Sequence, residues 1–397
     1  MRAKLFLMLL PLLLGLLVDQ ALQFTVLADG RFLDRRVAPY DPPLFNAAQR
    51  ASLDRLRRAA RGRPADASSN AVFDADLGWA PEPGSSRGGC SYDRFGARMG
   101  FEPLADRPPA GGRRLVVLGG SFTHCDEVAD QEAWPALLDQ ELESIEVANL
   151  GFGAYGIDQA LLRFRRDGAT LEPDEVWLGL MPQALPRVLT VYRPALRHHE
   201  LSVSFKPRFV LSGRDELVLV PNPARSVADC VRLLTDQSVF FEALAPVDHW
   251  VARFPSAYRP LGTHWSHYLA TARLFLTRIE GRGRDPGPWL ADRDGELFRL
   301  SRAIVRTLSA ECRAGGARFR VVLLPDGKSL AFRRKTGGAY WQELLDQLAR
   351  DGLEIVDLTG MFLEQDLDRE AGAFRPGGHY SARTNRLVAA RLARLLS

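Results

Sequence analysis

The chain has few of the residues that mark nucleic-acid-binding and metal-binding proteins. Only four of its 52 basic residues are lysines, and 48 acidic residues nearly cancel the basic ones, which leaves a formal net charge of +4. This balance leaves no electrostatic footprint for a nucleic-acid partner. The four cysteines form no CxxC pair and no HxxxC pair occurs, so the ligand spacings of zinc sites are missing. We therefore expect neither a nucleic-acid partner nor a bound metal.

The N-terminal segment has the layout of a targeting sequence. Arg2 and Lys4 precede an uncharged run at 5–18, which Asp19 ends. A bilayer span needs about 20 apolar residues, so this run is at the lower limit. The only triplet suited to cleavage, at 26–28, lies well beyond the run. We expect an uncleaved anchor rather than a removed signal peptide. Both interpretations export the rest of the chain from a bacterial cell, either to the periplasmic face of the inner membrane or in secreted form.

Export makes the four cysteines candidates for disulfides. In a chain of this length they are also compatible with buried free thiols, and both interpretations stay open at this point. The four are Cys90, Cys125, Cys230 and Cys312.

Two regions follow the targeting segment, which we place at 1–28. Residues 29–112 are rich in Arg, Ala, Pro and Gly and predict a leader that packs on the main domain, and 113–397 forms that domain. In the main domain, apolar runs of four to six residues alternate with longer amphipathic segments, as in βα units around a parallel sheet. The stretch at about 184–295 is far longer than a crossover helix, which predicts an insertion or lid.

The pattern of the main domain predicts five strands and five helices. The strands are expected at 114–118, 145–149, 175–180, 319–324 and 354–357. The helices are expected at 131–143, 156–167, 297–314, 339–350 and 382–396. The fold class is therefore α/β, with helices on both faces of a five-stranded parallel sheet.

A serine follows the first predicted strand, where ligands bind in open parallel sheets. Gly119 and Gly120 allow a sharp turn, and Ser121 begins a helix whose first N–H groups have no partner within the helix. Neither GxGxxG nor a Walker loop follows this strand, and Thr123 breaks the GxSxG pattern of αβ-hydrolases. Ser121 is thus a candidate nucleophile, with a simple N-cap as the alternative.

Two further features belong to the same edge of the predicted sheet. The second strand ends in a glycine-rich turn, NLGFGAYGIDQ at 149–159, and His379 stands just before the last helix. A histidine is suited to general-base catalysis because its ordinary pKa lies near neutrality. The alternative is a structural histidine.

The segments GGSFT, NLGFGAYGIDQALL and GGHYSARTNRLVAARL together resemble the first, second and fifth sequence blocks of the SGNH/GDSL hydrolase superfamily. The leader segments at 76–79 and 92–98 are similar to a run that precedes the domain in exported bacterial members. The resemblance implies a three-layer αβα fold, and ester hydrolysis or acyl transfer without a cofactor. It also implies Ser121 as nucleophile, His379 as base, and the backbone N–H groups of Ser121 and Ala154 as the oxyanion hole.

Three positions depart from the family pattern. The second-block glycine, which normally donates its backbone N–H, aligns with Ala154, and alanine keeps that backbone donor. The third block normally supplies an asparagine to the oxyanion, and here Ala184 stands in its place, with Gln183 beside it. The fifth block normally has an aspartate three residues before the histidine, where this chain has proline. Asp326 and Asp357 follow the fourth and fifth strands, so either is a candidate to orient the imidazole, with loop capping as the alternative.

Two functions remain in competition at this stage. The first is an exported serine esterase or O-acyltransferase that acts on acyl esters. Acyl esters of an envelope carbohydrate are one candidate substrate. The second is a catalytically degenerate module that binds a glycan or a partner, which the loss of the asparagine and the aspartate favours. Aromatic residues of the insertion are candidates to stack on sugar rings, or else core residues; they are Tyr192, Trp250, Tyr258, Trp265 and Tyr268.

Overall fold

The chain forms two compact units in a computed structural model. The model describes residues 2–25, 27, 31–32, 35–39, 43–62, 69–108, 111–142, 144–197, 204–213, 215–253, 264–283 and 286–396. The first, which we call the sheet unit, consists of Ala65–Leu189, Lys206–Ser226 and Pro286–Ser397. The second, the helical unit, consists of Met1–Pro64, Thr190–Phe205 and Val227–Asp285.

The sheet unit is built on a five-stranded parallel sheet, which confirms the predicted α/β class. The strands are β1 (Arg113–Gly119), β2 (Ile145–Asn149), β3 (Glu175–Leu180), β4 (Arg318–Leu323) and β5 (Glu354–Asp357), in the spatial order β5-β4-β3-β1-β2. The strands were predictable because buried parallel strands consist of nearly continuous apolar runs. Leu115 to Leu118, for example, are all buried, with alternate side chains on opposite faces.

Helices cover both faces of this sheet. They are α1 (Ser121–His124), α2 (Trp134–Glu141), α3 (Ile157–Arg163), α4 (Pro286–Ala291), α5 (Glu296–Ala314), α6 (Gly327–Thr336), α7 (Gln342–Arg350), α8 (Thr359–Glu364) and α9 (Ala382–Ala393). α2 packs against α9, and α5 packs against α3 and α7, giving three layers. The sequence did not predict α6, which buries only Ser329 and Leu330 and so lacks an apolar stripe.

Much of the predicted leader belongs to the sheet unit. It contains the short antiparallel pairs Val72–Asp74 with Gly78–Ala80 and Ser86–Arg87 with Cys90–Ser91. Trp79 and Tyr92 pack with Phe152 and Tyr155 of the turn after β2. Residues up to 64, in contrast, belong to the helical unit, so the leader is divided between the two units.

The predicted insertion is also divided. A hairpin of Arg208–Leu211 and Leu217–Val220 belongs to the sheet unit. The helical unit contains Arg2–Thr25, Ala47–Ala60, Arg193–Leu196, Val227–Thr235, Gln237–Leu244, His249–Arg253 and Ala270–Gly283. Among the helices that the structure describes, none combines the length and the apolar composition that a membrane crossing requires.

The four cysteines are buried free thiols, which decides between the two interpretations of the sequence. Burial raises the pKa of Cys125, Cys230 and Cys312 to about 12 in each case, so these thiols are protonated at neutral pH.

Candidate active site

Ser121, the nucleophile candidate, lies at the point of the sheet where the strand order reverses. With the order β2-β1-β3-β4-β5, the chain adds β2 on one side of β1 and β3 on the other, and ligands bind at such a switch point. Gly119 ends β1 with a φ of 151°, and a Cβ there would lie 2.3 Å from Thr123 Oγ1. Only glycine fits this close approach. Ser121 follows as the first residue of α1 and is 6% exposed.

A small cavity opens beside Ser121. Six of its lining residues come from the ends of β1, β2 and β3: Gly120, Ser121, Tyr155, Gly156, Ala184 and Arg187. The cavity has a volume of about 10 Å³, about the smallest space that holds one water. A short acyl group therefore fits this site better than a long chain.

His379 is oriented by a glutamate that the sequence analysis did not identify. Its Nδ1 lies 2.6 Å from Oε2 of Glu127, and the same carboxylate accepts the N–H of Gly377 at 2.8 Å. This arrangement directs Nε2 away from the carboxylate, as general-base catalysis by a histidine requires. The His379 ring also packs 5.3 Å from the ring of Phe122, the residue next to Ser121.

Glu127 reaches the histidine through a turn that follows α1 directly. Cys125 and Glu127 both have left-handed backbone conformations, with φ of 66° and 71°. The N–H groups of Cys125 and Asp126 donate to Ser121 O at 2.7 and 3.1 Å. The same turn thus carries the nucleophile candidate at one end and the partner of His379 at the other, which brings Ser121 and His379 to one edge of the sheet.

The aspartates that the sequence favoured as orienters have other partners. Asp326 accepts the N–H groups of Lys328 and Ser329 and caps α6. Asp357 accepts the N–H of Thr359 at 2.8 Å. The orienter prediction is therefore corrected to Glu127, because both aspartates act as the loop caps that were the alternative.

The charges of the site favour an ionised Glu127. Burial alone would raise the pKa of Glu127, but the hydrogen bonds from the His379 ring and from the N–H groups of Gly377 and His379 outweigh burial and lower it. The neighbouring Asp126 behaves in the same way: burial opposes ionisation, and the hydrogen bond from His124 lowers its pKa. The turn therefore places two carboxylates beside His379 at neutral pH.

A buried chain of side chains supports this turn from the leader side. Tyr92 Oη lies 2.9 Å from His124 Nε2, and His124 Nδ1 lies 2.5 Å from Asp126 Oδ1. Arg98 donates to the carbonyls of His124, Cys125 and Val128 at 2.5 to 2.7 Å and to Asp130 at 2.8 Å. Tyr92 and Arg98 belong to the leader segment 92–98, for which the sequence analysis predicted no contact with this turn.

The predicted oxyanion donors lie on two turns of this edge. Ala154 has a φ of 63°, and in the described part of the chain its N–H has no acceptor. Ala184 lines the cavity, as expected for the position of the missing asparagine. Gln183 leaves in another direction, because its Nε2 donates to Tyr340 Oη at 3.0 Å.

The turn after β2 has the GxGxxG spacing of a dinucleotide loop, with glycines at 151, 153 and 156. Protein atoms occupy the space that these glycines leave. A Cβ on Gly151 would lie 2.8 Å from His124 N, one on Gly153 would lie 3.2 Å from Asp126 Oδ2, and one on Gly156 would lie 2.4 Å from an Asp158 carboxylate oxygen. The glycines therefore serve internal packing rather than the binding of a dinucleotide.

No family model matches this chain, and no curated protein matches it. Solved structures to which it is similar include a member of the lipolytic protein G-D-S-L family from Veillonella parvula, at 11% identity and a TM-score of 0.34, covering 71% of this chain and 96% of that one. An acetyl xylan esterase, AlAXEase, is 13% identical, with a TM-score of 0.37 and coverage of 72% and 100%. A catalytic mutant of Axe2, an acetylxylan esterase from Geobacillus stearothermophilus, is 12% identical, with a TM-score of 0.37 and coverage of 72% and 94%. Similarity at this level assigns no activity to the chain.

Proposed function

We propose that this chain is a serine esterase in which Ser121 is the nucleophile, His379 the general base and Glu127 the residue that orients the base. The observation that carries the proposal is the 2.6 Å contact between His379 Nδ1 and Glu127, made by a turn that begins at Ser121. A serine, a histidine and a carboxylate with these roles form the catalytic triad of acyl-transfer enzymes on many unrelated folds. No cofactor enters the reaction.

The reaction proceeds in two stages, acylation of Ser121 and deacylation. Ser121 Oγ forms a bond to the acyl carbon while its proton moves to His379 Nε2, and the carbonyl electron pair moves onto oxygen. In this proposal the N–H groups of Ser121 and Ala154 donate to that oxyanion. Collapse breaks the ester C–O bond, and His379 returns the proton to the leaving alcohol. Water or a second alcohol then attacks the acyl carbon while His379 takes its proton. Collapse breaks the bond between the acyl carbon and Ser121 Oγ, His379 returns the proton to Ser121 Oγ, and the acid or the new ester leaves.

We further propose that the substrate is a short acyl group carried by a carbohydrate. A second alcohol can take the place of water as the acceptor of the acyl group. The cavity at Ser121, with a volume of about 10 Å³, has no room for a long acyl chain and so favours a short one. Tyr192 and Trp250 are core residues and therefore do not stack on a sugar. Trp265 and Tyr268 are exposed residues of the helical unit, and stacking of either ring on a sugar stays a prediction from the sequence. Tyr258 lies outside the described residues.

Labelling by a fluorophosphonate probe and hydrolysis of p-nitrophenyl acetate test the nucleophile and the base. We expect Ser121→Ala to abolish labelling and His379→Ala to lower turnover by at least about 10³-fold. Ser86→Ala is the matched control, since Ser86 is an exposed serine of the same unit. A folded wild-type protein whose labelling and turnover do not depend on Ser121 contradicts the esterase. That result would favour the degenerate binding module, which glycan-binding measurements on the same protein would then examine.

Export and membrane attachment through the N-terminal segment are part of the proposal. Support comes from the helix Arg2–Thr25, in which Leu12, Leu17 and Phe24 are 64%, 66% and 81% exposed. Exposed apolar side chains of this size mark surfaces that contact lipid or protein.

The structure changes the design of a truncation test. Asp19 is buried and accepts the N–H groups of Ala270 and Thr271 at 3.0 and 2.8 Å, so it caps the helix that begins at Ala270. Removal of residues 1–28 would delete that cap. We therefore expect a variant that lacks residues 2–17 to be folded and soluble, and the full chain to sediment with membranes. Full-length protein in the soluble fraction would refute the attachment.

A further inference from the structure

The third sequence block provides no side-chain donor at the cavity, yet a guanidinium lies there. Arg187 belongs to the 3₁₀ helix Pro182–Leu189 that follows β3, three residues after Ala184. It is 5% exposed and lines the same cavity as Ser121. Ala184 has no donor to offer, and Gln183 donates to Tyr340.

Two glycines define the course of the Arg187 side chain. A Cβ on Gly156 would lie 3.1 Å from Arg187 Cβ, and a Cβ on Gly120 would lie 3.2 Å from Arg187 Nη1. The side chain therefore extends from the turn after β2 to the residue that precedes Ser121. A larger residue at position 120 would press on Tyr155 O, 3.0 Å from the added Cβ, and on the guanidinium, so the second glycine of GGSFT leaves room for both beside the nucleophile.

A hydrogen bond to a backbone carbonyl holds the guanidinium in this place. Nη1 donates to Tyr155 O at 2.8 Å, and Tyr155 follows Ala154, whose N–H is the second predicted oxyanion donor. A guanidinium keeps its positive charge at any working pH and carries five N–H groups. A hydrogen bond from a charged donor is about twice as strong as one from a neutral amide.

We propose that Arg187 is a catalytic residue, whose guanidinium stabilises the oxyanion of the tetrahedral intermediate in place of the missing asparagine. This inference rests on the proposed esterase function. The negative charge forms on the carbonyl oxygen as Ser121 adds to the acyl carbon, and the cation beside Gly120 lowers the energy of that state more than that of the neutral ester. The chain therefore replaces a neutral side-chain donor by a charged one from the next turn.

Steady-state hydrolysis of neutral p-nitrophenyl acetate tests the role. We expect Arg187→Met to lower kcat by about 10²–10³-fold, the usual cost of one oxyanion donor, with KM changed less than about threefold because the ground state is uncharged. Arg187→Lys retains a positive charge and should lose less. Arg163→Met is the matched control: Arg163 is equally buried and donates to Gly96 O at 2.9 Å, but it is not among the residues that line the cavity.

A boronic acid that forms an anionic tetrahedral adduct with Ser121 separates catalysis from support of the fold. Its inhibition constant should rise in Arg187→Met by the same factor by which kcat/KM falls, and added guanidinium chloride at low millimolar concentration should restore part of the turnover. Ala184→Asn in the Arg187→Met background should also restore part of it. Should Arg187→Met fail to fold, the same comparison is made with Arg187→Lys.

The outcomes separate the two proposals. Wild-type turnover that does not depend on Ser121 would overturn both. Ser121-dependent turnover with unchanged kcat and unchanged boronic-acid affinity in the Arg187 variants would overturn the role of Arg187 alone. A rise in KM at constant kcat would also overturn it, because that pattern belongs to ground-state binding of the substrate.

Discussion

The substitution Gly377→Ala isolates the contribution of Glu127 without touching any catalytic group. A Cβ at this position would lie 2.5 Å from Glu127 Oε2 and 2.8 Å from Oε1. Ordinary contacts begin at 3.4 Å, so the carboxylate must retreat by about 0.9 Å. Its 2.6 Å contact with His379 Nδ1 would then approach 3.5 Å, which is too long for a useful hydrogen bond.

The expected result is a large loss of activity with little loss of stability. A displacement of about 1 Å in an active site costs about 10²-fold in rate, and we expect a fall in kcat of that size on p-nitrophenyl acetate. The His379 and Glu127 side chains are 20% and 28% exposed, so their pair contributes only about 0.2–1 kcal/mol to folding. Alanine for glycine restricts the unfolded chain and offsets part of that loss. The unfolding free energy should therefore change by less than about 1 kcal/mol.

Gly360→Ala provides the matched control, since its Cβ would lie 3.7 Å from Glu364 Oε1, an ordinary contact with another glutamate. This variant should retain full kcat. Wild-type kcat in Gly377→Ala, with unfolding by urea showing a native fold, would refute the orienting role of Glu127. A loss of kcat accompanied by a loss of stability of several kcal/mol would instead mean that the substitution damages the fold.

Three further predictions concern the charge of Glu127, the Lys206–Asp158 pair and the four cysteines. Because hydrogen bonds lower the pKa of Glu127, its ionised form adds stability above its unfolded pKa, about 4.3. That stability disappears as the pH falls through the lower folded pKa. Glu127→Gln should therefore unfold more easily than wild type in urea at pH 7, and this difference should shrink as the pH falls below about 4.3. Lys206→Met should cost about 3–5 kcal/mol in urea denaturation, since it leaves Asp158 buried without the Lys206 ammonium that contacts it. Reducing agent should leave the Tm unchanged, and all four cysteines should react with a thiol reagent after unfolding.

Each of these predictions has a result that contradicts it. A stability difference between Glu127→Gln and wild type that does not shrink as the pH falls below about 4.3 would show that the effect is not one of charge. Unchanged stability of Lys206→Met would mean that water reaches Asp158, and Lys328→Met serves as its control because Lys328 is exposed. Fewer than four reactive thiols in the unfolded, unreduced chain would reveal a disulfide.

The strands and their ends could be predicted from the sequence because the patterns that indicate them are local. Each strand of the sheet is a short apolar run between turns, and its period is visible without knowledge of its neighbours. Ser121 and His379 were identified as candidates because each stands in a glycine-rich turn next to a predicted element. The third-block departure at Ala184 was visible for the same reason, and Ala184 does line the cavity.

The partners of these residues were decided by the tertiary structure. Glu127 and His379 are 252 positions apart in the sequence. Cys125 and Glu127 have left-handed backbone conformations that bring the Glu127 carboxylate to His379, and neither residue type predicts such a conformation. Sequence order favoured Asp326 and Asp357, which lie at the ends of neighbouring strands but are bound by backbone N–H groups of their own loops. Arg187 reaches Gly120 only because β1 and β3 are adjacent. The sequence determined which strand ends carry reactive groups, and the packing of distant segments determined which charge stands beside each of them.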